Sequence, residues 1–377
     1  MLSGENGMRV HLASRFVIGV CGLFLAGGCS LTEVVRIPFV GSGDKAETAS
    51  AAEPLPDEPV TNSPPVVRQQ AVSLESQYVQ GCALLYGDGV DRDVSQGVAL
   101  LRSSAEGGFL KAQTSLGLLF LKGLPGVSRN EAEAAKWLEK AAMQGNVAAQ
   151  SSLGALLLDK GSSVRDPEAG VVWLKRAGGA GDVTAQVALG LMYQKGYVVA
   201  QNDVESARWY RKAAEQGHAE AQTQFGIACY RGRGVEQSFP EALRLFTLAA
   251  NKGNAKAMSN LGVMSAKGEG VAKDEGAAVE WFRKAADLGD DDGQNNLGAA
   301  YFKGAGVEKD YAAALKWFKA AAEQGHAMAQ FRLGYMYAQG DGVPADAAKA
   351  AEWIGKAAAQ GNPQAVKWLQ ERSGANK

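Results

Sequence analysis

Residues 218–253 read HAEAQTQFGIACYRGRGVEQSFPEALRLFTLAANKG, and the same 36-residue pattern recurs on either side. Ala221, Phe225, Ala228 and Cys229 fall at helical spacing, which predicts a first helix over 219–230 with a small-residue face. Gly226 inside it lowers helix propensity by about 1 kcal/mol. Its recurrence in every unit implies that the missing side chain lets another helix approach closely. Arg231-Gly232-Arg233-Gly234-Val235 ends this helix. Ser238 opens a second, which turns Ala242, Leu245, Phe246 and Ala249 toward its neighbours and stops at Gly253.

Six of the seven tryptophans stand on the same lattice: Trp137, Trp173, Trp209, Trp281, Trp317 and Trp353, with Leu245 at the missing node. One glycine column runs from Gly81 through Gly226 to Gly334, and another from Gly108 to Gly361. Eight units result, from Ser73 to Gly361, with one extra residue in the second at Leu124-Pro125-Gly126-Val127. A period of this length marks a supersecondary unit that cannot bury its apolar face alone and stacks on its neighbours. Trp281, flanked by units on both sides, is expected to be a largely buried inter-helix contact.

Short polar side chains mark the helix starts. Asp93, Asn130, Asp166, Asn202, Ser238, Asp274, Asp310 and Asp346 open the second helices, where they can accept hydrogen bonds from exposed amides. Glu133, Glu205 and Glu241, three residues beyond their caps, resemble capping boxes. Ser73, Asn146, Asp182, His218, Asn254, Asp290, His326 and Asn362 open the first helices, a column broken by Phe109. His218 and His326 thereby read as surface helix-start residues, not as catalytic or metal-binding ones.

Two helices per unit, with Ala-Gln, Leu-Gly, Gly-x-Gly-Val, Trp and Lys-Ala-Ala signatures, resemble the Sel-one-like repeat (SLR), a relative of the tetratricopeptide repeat. Gln186, Leu189-Gly190, Tyr193, Trp209 and Lys212-Ala213-Ala214 carry the pattern in one unit. Gln330, Leu333-Gly334, Tyr337, Gly340-Asp341-Gly342-Val343, Trp353 and Lys356-Ala357-Ala358 carry it in another. The resemblance implies an all-α fold, an αα-hairpin solenoid of eight repeats over 73–365 wound as a right-handed superhelix. The third unit departs from the pattern at Lys160-Gly161-Ser162-Ser163-Val164 and the fourth at Gly196-Tyr197-Val198, so other loop shapes are expected there. Residues 366–377 read as a polar capping helix and tail.

The beginning of the chain is different in kind. Arg9 and Arg15 precede the apolar run from Phe16 to Leu25 and the small residues Ala26-Gly27-Gly28 before Cys29, which reads as a signal peptide over 1–28. The run is short for a membrane span. The small residues before a cysteine resemble the lipobox of bacterial lipoproteins, which implies that Cys29 is the acylated residue. Ser30 in place of Asp, by resemblance to enteric lipoproteins, implies an outer-membrane protein facing the periplasm. Residues 29–72 hold six of the 11 prolines among Ala, Glu and Ser and read as a disordered tether.

Lys and Arg number 39 against 40 Asp and Glu, a formal charge of -1, which gives no electrostatic ground for a nucleic-acid partner. No Ser-His-Asp order, His-Glu-x-x-His or Cys-x-x-Cys spacing occurs, and the Gly-x-Gly pairs follow helices where a phosphate loop would follow a strand. Neither cofactor nor metal is expected. Cys82 and Cys229, four repeats apart, are expected to be buried thiols on the small-residue faces. One secreted SLR branch has regularly paired cysteines and is linked to β-lactam binding; this chain lacks those pairs.

The leading expectation is a non-enzymatic interaction scaffold of the cell envelope, presenting a concave face to a protein or peptide. The alternatives are a protein that binds or hydrolyses cell-wall or β-lactam compounds and a structural spacer. Specificity is expected at first-helix positions that vary between units: Gln222, Gln224, Ser259, Asn260, Asn295, Asn296 and Arg332.

Overall fold

The computed structural model describes residues 73–374, so the signal peptide, Cys29 and the tether lie outside the described residues. The described residues form α-helices with no strand; the only β-type pairing among them is an isolated bridge between Leu124 and Val127, in the loop that carries the extra residue. The chain divides between Ala180 and Gly181 into two compact units. The first contains α1 (Leu74–Tyr86), α2 (Val94–Glu106), α3 (Leu110–Lys122), α4 (Glu131–Met143), α5 (Val147–Leu158) and α6 (Pro167–Gly179). The second contains α7 (Val183–Lys195), α8 (Asp203–Glu215), α9 (Ala219–Arg231), α10 (Phe239–Ala250), α11 (Ala255–Lys267) and α12 (Glu275–Asp287). It continues through α13 (Asp291–Lys303), α14 (Tyr311–Glu323), α15 (Ala327–Gln339), α16 (Ala347–Ala359) and α17 (Pro363–Gly374). Odd- and even-numbered helices are the first and second helices of successive hairpins. The C-terminal helix starts at Pro363, inside the span assigned above to the repeats.

Each second helix begins where a cap side chain accepts an amide hydrogen bond one turn on, as Asn130, Ser238 and Asp310 do. The reciprocal half of a capping box does not form. The cap's own amide is already engaged by a carbonyl of the preceding helix: Asn130 N–H donates to Phe120 O at 2.8 Å, and Ser238 N–H to Cys229 O at 2.9 Å. With that donor satisfied, Glu205 and Glu241 reach Arg208 and Arg244 instead. His218 and His326 cap as expected, their Nδ1 atoms accepting from Ala221 N–H at 3.2 Å and Ala329 N–H at 3.1 Å. Phe109 makes no side-chain cap.

The turn after a first helix needs left-handed backbone twice, at Gly232 and Gly234 (φ 67 and 69) for example. In the fourth repeat the second of these positions is Val198, and it keeps the turn with φ 64. The expectation of a different loop there is therefore wrong; a β-branched residue is held in the conformation that glycine supplies elsewhere. The third repeat does depart, because Asp159 after α5 is extended and no left-handed residue follows in that loop.

The core lies one residue beyond the tryptophan column. Phe246 and Phe318 are 0% and 1% exposed, each set against the glycine of its own first helix. A Cβ on Gly298 would stand 2.7 Å from Phe318 Cδ1, so hydrogen is the only side chain the approach admits. Trp137 is fully buried, but Trp281 is only half-buried on the edge of the α9–α11 core, with Lys284 Nζ 4.4 Å from its ring. The expectation that Trp281 is a largely buried inter-helix contact is corrected: Phe282 fills the glycine notch and leaves the indole its outer flank.

Candidate functional site

The seven candidate residues stand on α9, α11, α13 and α15 of the second unit. Gln224, Asn260, Asn296 and Arg332 occupy one repeated position and are all half-buried, so they form a partly exposed stripe. Gln224 Nε2 donates to Glu220 Oε1 at 2.6 Å, and Asn260 Nδ2 to the Lys256 carbonyl at 2.7 Å, both within their own helices. Arg332 crosses between helices, its Nη1 2.8 Å from Asn295 Oδ1 and its guanidinium 5.6 Å from the centre of the Phe318 ring. Burial lowers the Arg332 pKa.

The other three candidates face inward. Gln222 and Ser259 are 3% exposed and Asn295 is 6% exposed, which removes them from the accessible surface. Ser259 Oγ donates to Asp290, the residue that caps α13, and burial pushes the Asp290 carboxyl up despite that bond. Asn295 Nδ2 donates to Asn296 while its Oδ1 receives Arg332. These polar side chains lie at interfaces between first helices because they find hydrogen-bond partners there.

Gln222 belongs to a ladder that the sequence reading did not single out as such. Glutamines at its repeated position donate to the carbonyl eight residues earlier, as Gln150 does to Ala142 and Gln330 to Ala322, both at 3.1 Å. Their Oε1 atoms accept from a glutamine at the end of the following second helix. Gln216 reaches Gln186 at 2.9 Å, Gln324 reaches Gln294 at 2.8 Å and Gln360 reaches Gln330 at 2.8 Å. The recurrence of Gln186, Gln294 and Gln330 was the available signal that the column is scaffold. The ladder is interrupted at Gln222, because the residue due to serve it is Lys252, whose Nζ bonds the Gly217 carbonyl. Gln222 Oε1 is thereby buried with no hydrogen-bond partner.

Among the concavities of the described residues, two lie in the second unit. One of about 190 Å³ is walled by Phe302, Phe318, Phe331, Arg332 and Tyr335 at the end of the polar stripe. The other, about 660 Å³, lies among α8, α9 and α10, beside Leu245 and Gln222. Beyond these, Asp292 and His326 pair across α13 and α15 at 3.2 Å, and the histidine's hydrogen bond holds the Asp292 carboxyl below its ordinary range.

Among the described residues no group of three or more His, Cys, Asp or Glu side chains is placed to hold a metal ion. Cys82 and Cys229 are free and buried, as expected. Burial pushes the Cys82 thiol to about 11, and the Cys229 thiol also rises, so neither is a ready nucleophile at neutral pH. No described helix is long and apolar enough to cross a membrane.

The Sel1 repeat model matches eight consecutive segments, 74–109, 110–146, 147–182, 183–218, 219–254, 255–290, 291–326 and 327–362. The chain is similar to the crystal structure of a Sel1 repeat protein from Oxalobacter formigenes, at 38% identity over 79% of this chain and 86% of that one, with a TM-score of 0.63. It is also similar to a protective antigen present in uropathogenic Escherichia coli strains that displays an SLR fold, at 34% identity over 79% of this chain and 71% of that one, with a TM-score of 0.62. Among curated proteins there is no match. With repeat matches covering nearly all the described residues and the αα hairpins they require in place, the chain belongs to the Sel1 repeat family.

Proposed function

We propose that this chain is an interaction scaffold of the bacterial cell envelope that binds a protein or peptide partner along the first helices of its second unit. Sel1 repeat proteins generally mediate protein–protein interaction and are generally non-enzymatic. The observation that carries the reading is the stripe Gln224, Asn260, Asn296 and Arg332. At one lattice position a glutamine, two asparagines and an arginine are partly exposed, while the neighbouring glutamine column is engaged in joining repeats. A repeat array keeps its interfaces constant and varies the surface it offers. A lipid on Cys29 would anchor the chain at the outer membrane, facing the periplasm, with the tether allowing the repeats to reach their partner.

The test compares the full chain with a variant carrying Gln224→Lys, Asn260→Lys and Asn296→Lys. Arg332 is spared because it bonds Asn295 and covers Phe318. A partner crosslinked to the wild type in native membranes should be lost from the variant while the melting temperature stays nearly unchanged. Undiminished capture rejects this face, and turnover of a cell-wall substrate by the purified chain rejects the scaffold reading. Cys29→Ala should release the chain from the membrane fraction, since acyl chains supply the anchorage. A mature N-terminus other than acylated Cys29 rejects the anchor.

A further inference from the structure

At Trp173, Trp281 and Trp317 the indole packs against the preceding second helix and the first helix of its own repeat. Trp173 lies on the core made by Leu138 and Ala142 of α4 with Leu153 and Leu157 of α5. Trp281 lies on the core holding Ala250 of α10 and Leu261 of α11, and Trp317 on that holding Phe282 of α12 and Leu297 of α13. The equivalent place at the leucine node is bounded by α8, α9 and α10. It is there that the cavity of about 660 Å³ is found, lined by Arg211, Gln222, Phe225, Glu241, Leu245 and Leu248 among others. Leu245 is itself 2% exposed, but its side chain is far smaller than an indole, and the slot beside it stays open.

The polar lining matches that of one sister slot, whereas at another the Trp209 Nε1 is buried without a partner. In α4, Trp137 Nε1 donates to the carboxylate of Glu133, one turn earlier, at 3.1 Å. Glu241 stands one turn before Leu245 in the same way, with no indole to receive; its carboxylate is held by Arg244 at 2.7 and 2.8 Å. Gln222, which also lines the cavity, carries a second acceptor, Oε1, that is buried and unpaired. A buried acceptor without a donor is costly to maintain, and a ligand N–H removes that cost. Cations accompany the rings elsewhere: Lys212 and Lys356 stand 4.6 and 4.1 Å from the Trp209 and Trp353 rings. Leu248 takes that place here and is 37% exposed at the mouth, while Arg211 lies 4.9 Å over the neighbouring Phe225 ring. The lining therefore combines Phe225, Leu245 and Leu248 with acceptors on Glu241 and Gln222 and the cations Arg211 and Arg244, beside the further carboxylates Glu215 and Glu236, a mixture that suits an aromatic ring bearing an N–H.

We propose that the leucine node is a docking pocket for a tryptophan side chain presented by a protein partner, which completes in trans the lattice that Trp281 and Trp317 complete in cis in the following repeats. The choice of a protein partner rests on the scaffold reading above. The choice of tryptophan rests on the cavity, its acceptors and the occupants of the sister slots. A space of this size, within the range of ligand pockets, also leaves room for the backbone flanking the ring.

The test titrates the full chain with the peptide Gly-Gly-Trp-Gly-Gly, its leucine counterpart and N-acetyl-tryptophanamide, reading heat and the methyl resonances of Leu245 and Leu248. The tryptophan peptide should bind and shift both methyl sets, N-acetyl-tryptophanamide should compete with it, and the leucine peptide should not bind. Leu245→Trp should fill the slot in cis, abolishing binding and raising the melting temperature. Lys252→Gln, which restores the donor to Gln222, should weaken binding by about tenfold, the scale of one lost hydrogen bond. If Leu245→Trp does not fold, Leu248→Glu at the exposed mouth serves in its place and should also weaken binding by about tenfold. No binding of the tryptophan peptide to the wild type, or equal binding to the filled slot, overturns the proposal. Binding of N-acetyl-tryptophanamide without the peptide also overturns it, by marking a small-molecule site. Capture of the membrane partner that survives Leu245→Trp but is lost in the lysine triple variant overturns this pocket and leaves the scaffold reading standing.

Discussion

Gly226 and Phe246 meet so closely that a Cβ on the glycine would lie 2.7 Å from the phenylalanine Cε1. Gly226→Ala improves helix propensity, yet it forces this contact apart in a core where Phe246 is fully buried. Overpacking should prevail, with a net loss of about 1–3 kcal/mol in urea denaturation. Gly355, within α16, has nothing within 4 Å of its would-be Cβ. Gly355→Ala should therefore stabilise the chain by about 0.5–1 kcal/mol, the ordinary cost of glycine in a helix. A common sign for the two substitutions would refute the close-approach account.

The neighbours Trp281 and Phe282 should separate in the same measurement. Phe282 is 7% exposed and fills the notch at Gly262, so Phe282→Ala should cost about 3–5 kcal/mol. Trp281→Ala removes a half-buried ring and its contact with Lys284, and should cost less. The reverse order would return the tryptophan to the centre of the packing.

Val198 is 39% exposed and sits at φ 64, the conformation its sister positions reach with glycine. Val198→Gly gives up little burial and relieves a left-handed penalty of about 1–2 kcal/mol, partly offset by the entropy of the unfolded chain. The expected result is a higher melting temperature. Unchanged or lower stability would mean that the turn is not strained.

His218 caps α9 through a lone pair on Nδ1, and burial holds its pKa below the ordinary 6.5. In the window beneath 6.5 the unfolded chain therefore binds more protons than the folded one. The histidine's contribution is present above that value and is lost as pH falls through the window. His218→Asn keeps a cap of the kind Asn254 gives α11 and removes the titration. Between about pH 7 and about pH 5 the wild type should lose more stability than the variant; parallel loss would discount the histidine.

Repeat number, helix pairing and helix starts were legible because each is set by local chemistry: the period by Trp and Gly spacing, the starts by Asp, Asn, Ser and His. Which column forms the centre of the core was not. Tryptophan drew attention by its constancy, whereas the neighbouring position runs through Leu138, Tyr210, Phe246 and Ile354, since a glycine notch accepts any apolar side chain of fitting shape. The inward rotation of Ser259 and Asn295 was likewise hidden, because it depends on partners in the next repeat, Asp290 and Arg332, about a full period away in sequence.

The amides of the second-helix cap residues are bound to carbonyls only nine or ten residues back, as Ser238 is to Cys229, and the rungs of the glutamine ladder reach just 30 residues. Closure of every loop in the array is therefore short-range, the condition for rapid folding. A nascent chain has all the contacts of one hairpin as soon as that hairpin leaves the ribosome. Assembly can accordingly keep pace with synthesis from the first complete repeat onward, each new hairpin finding its template already in place.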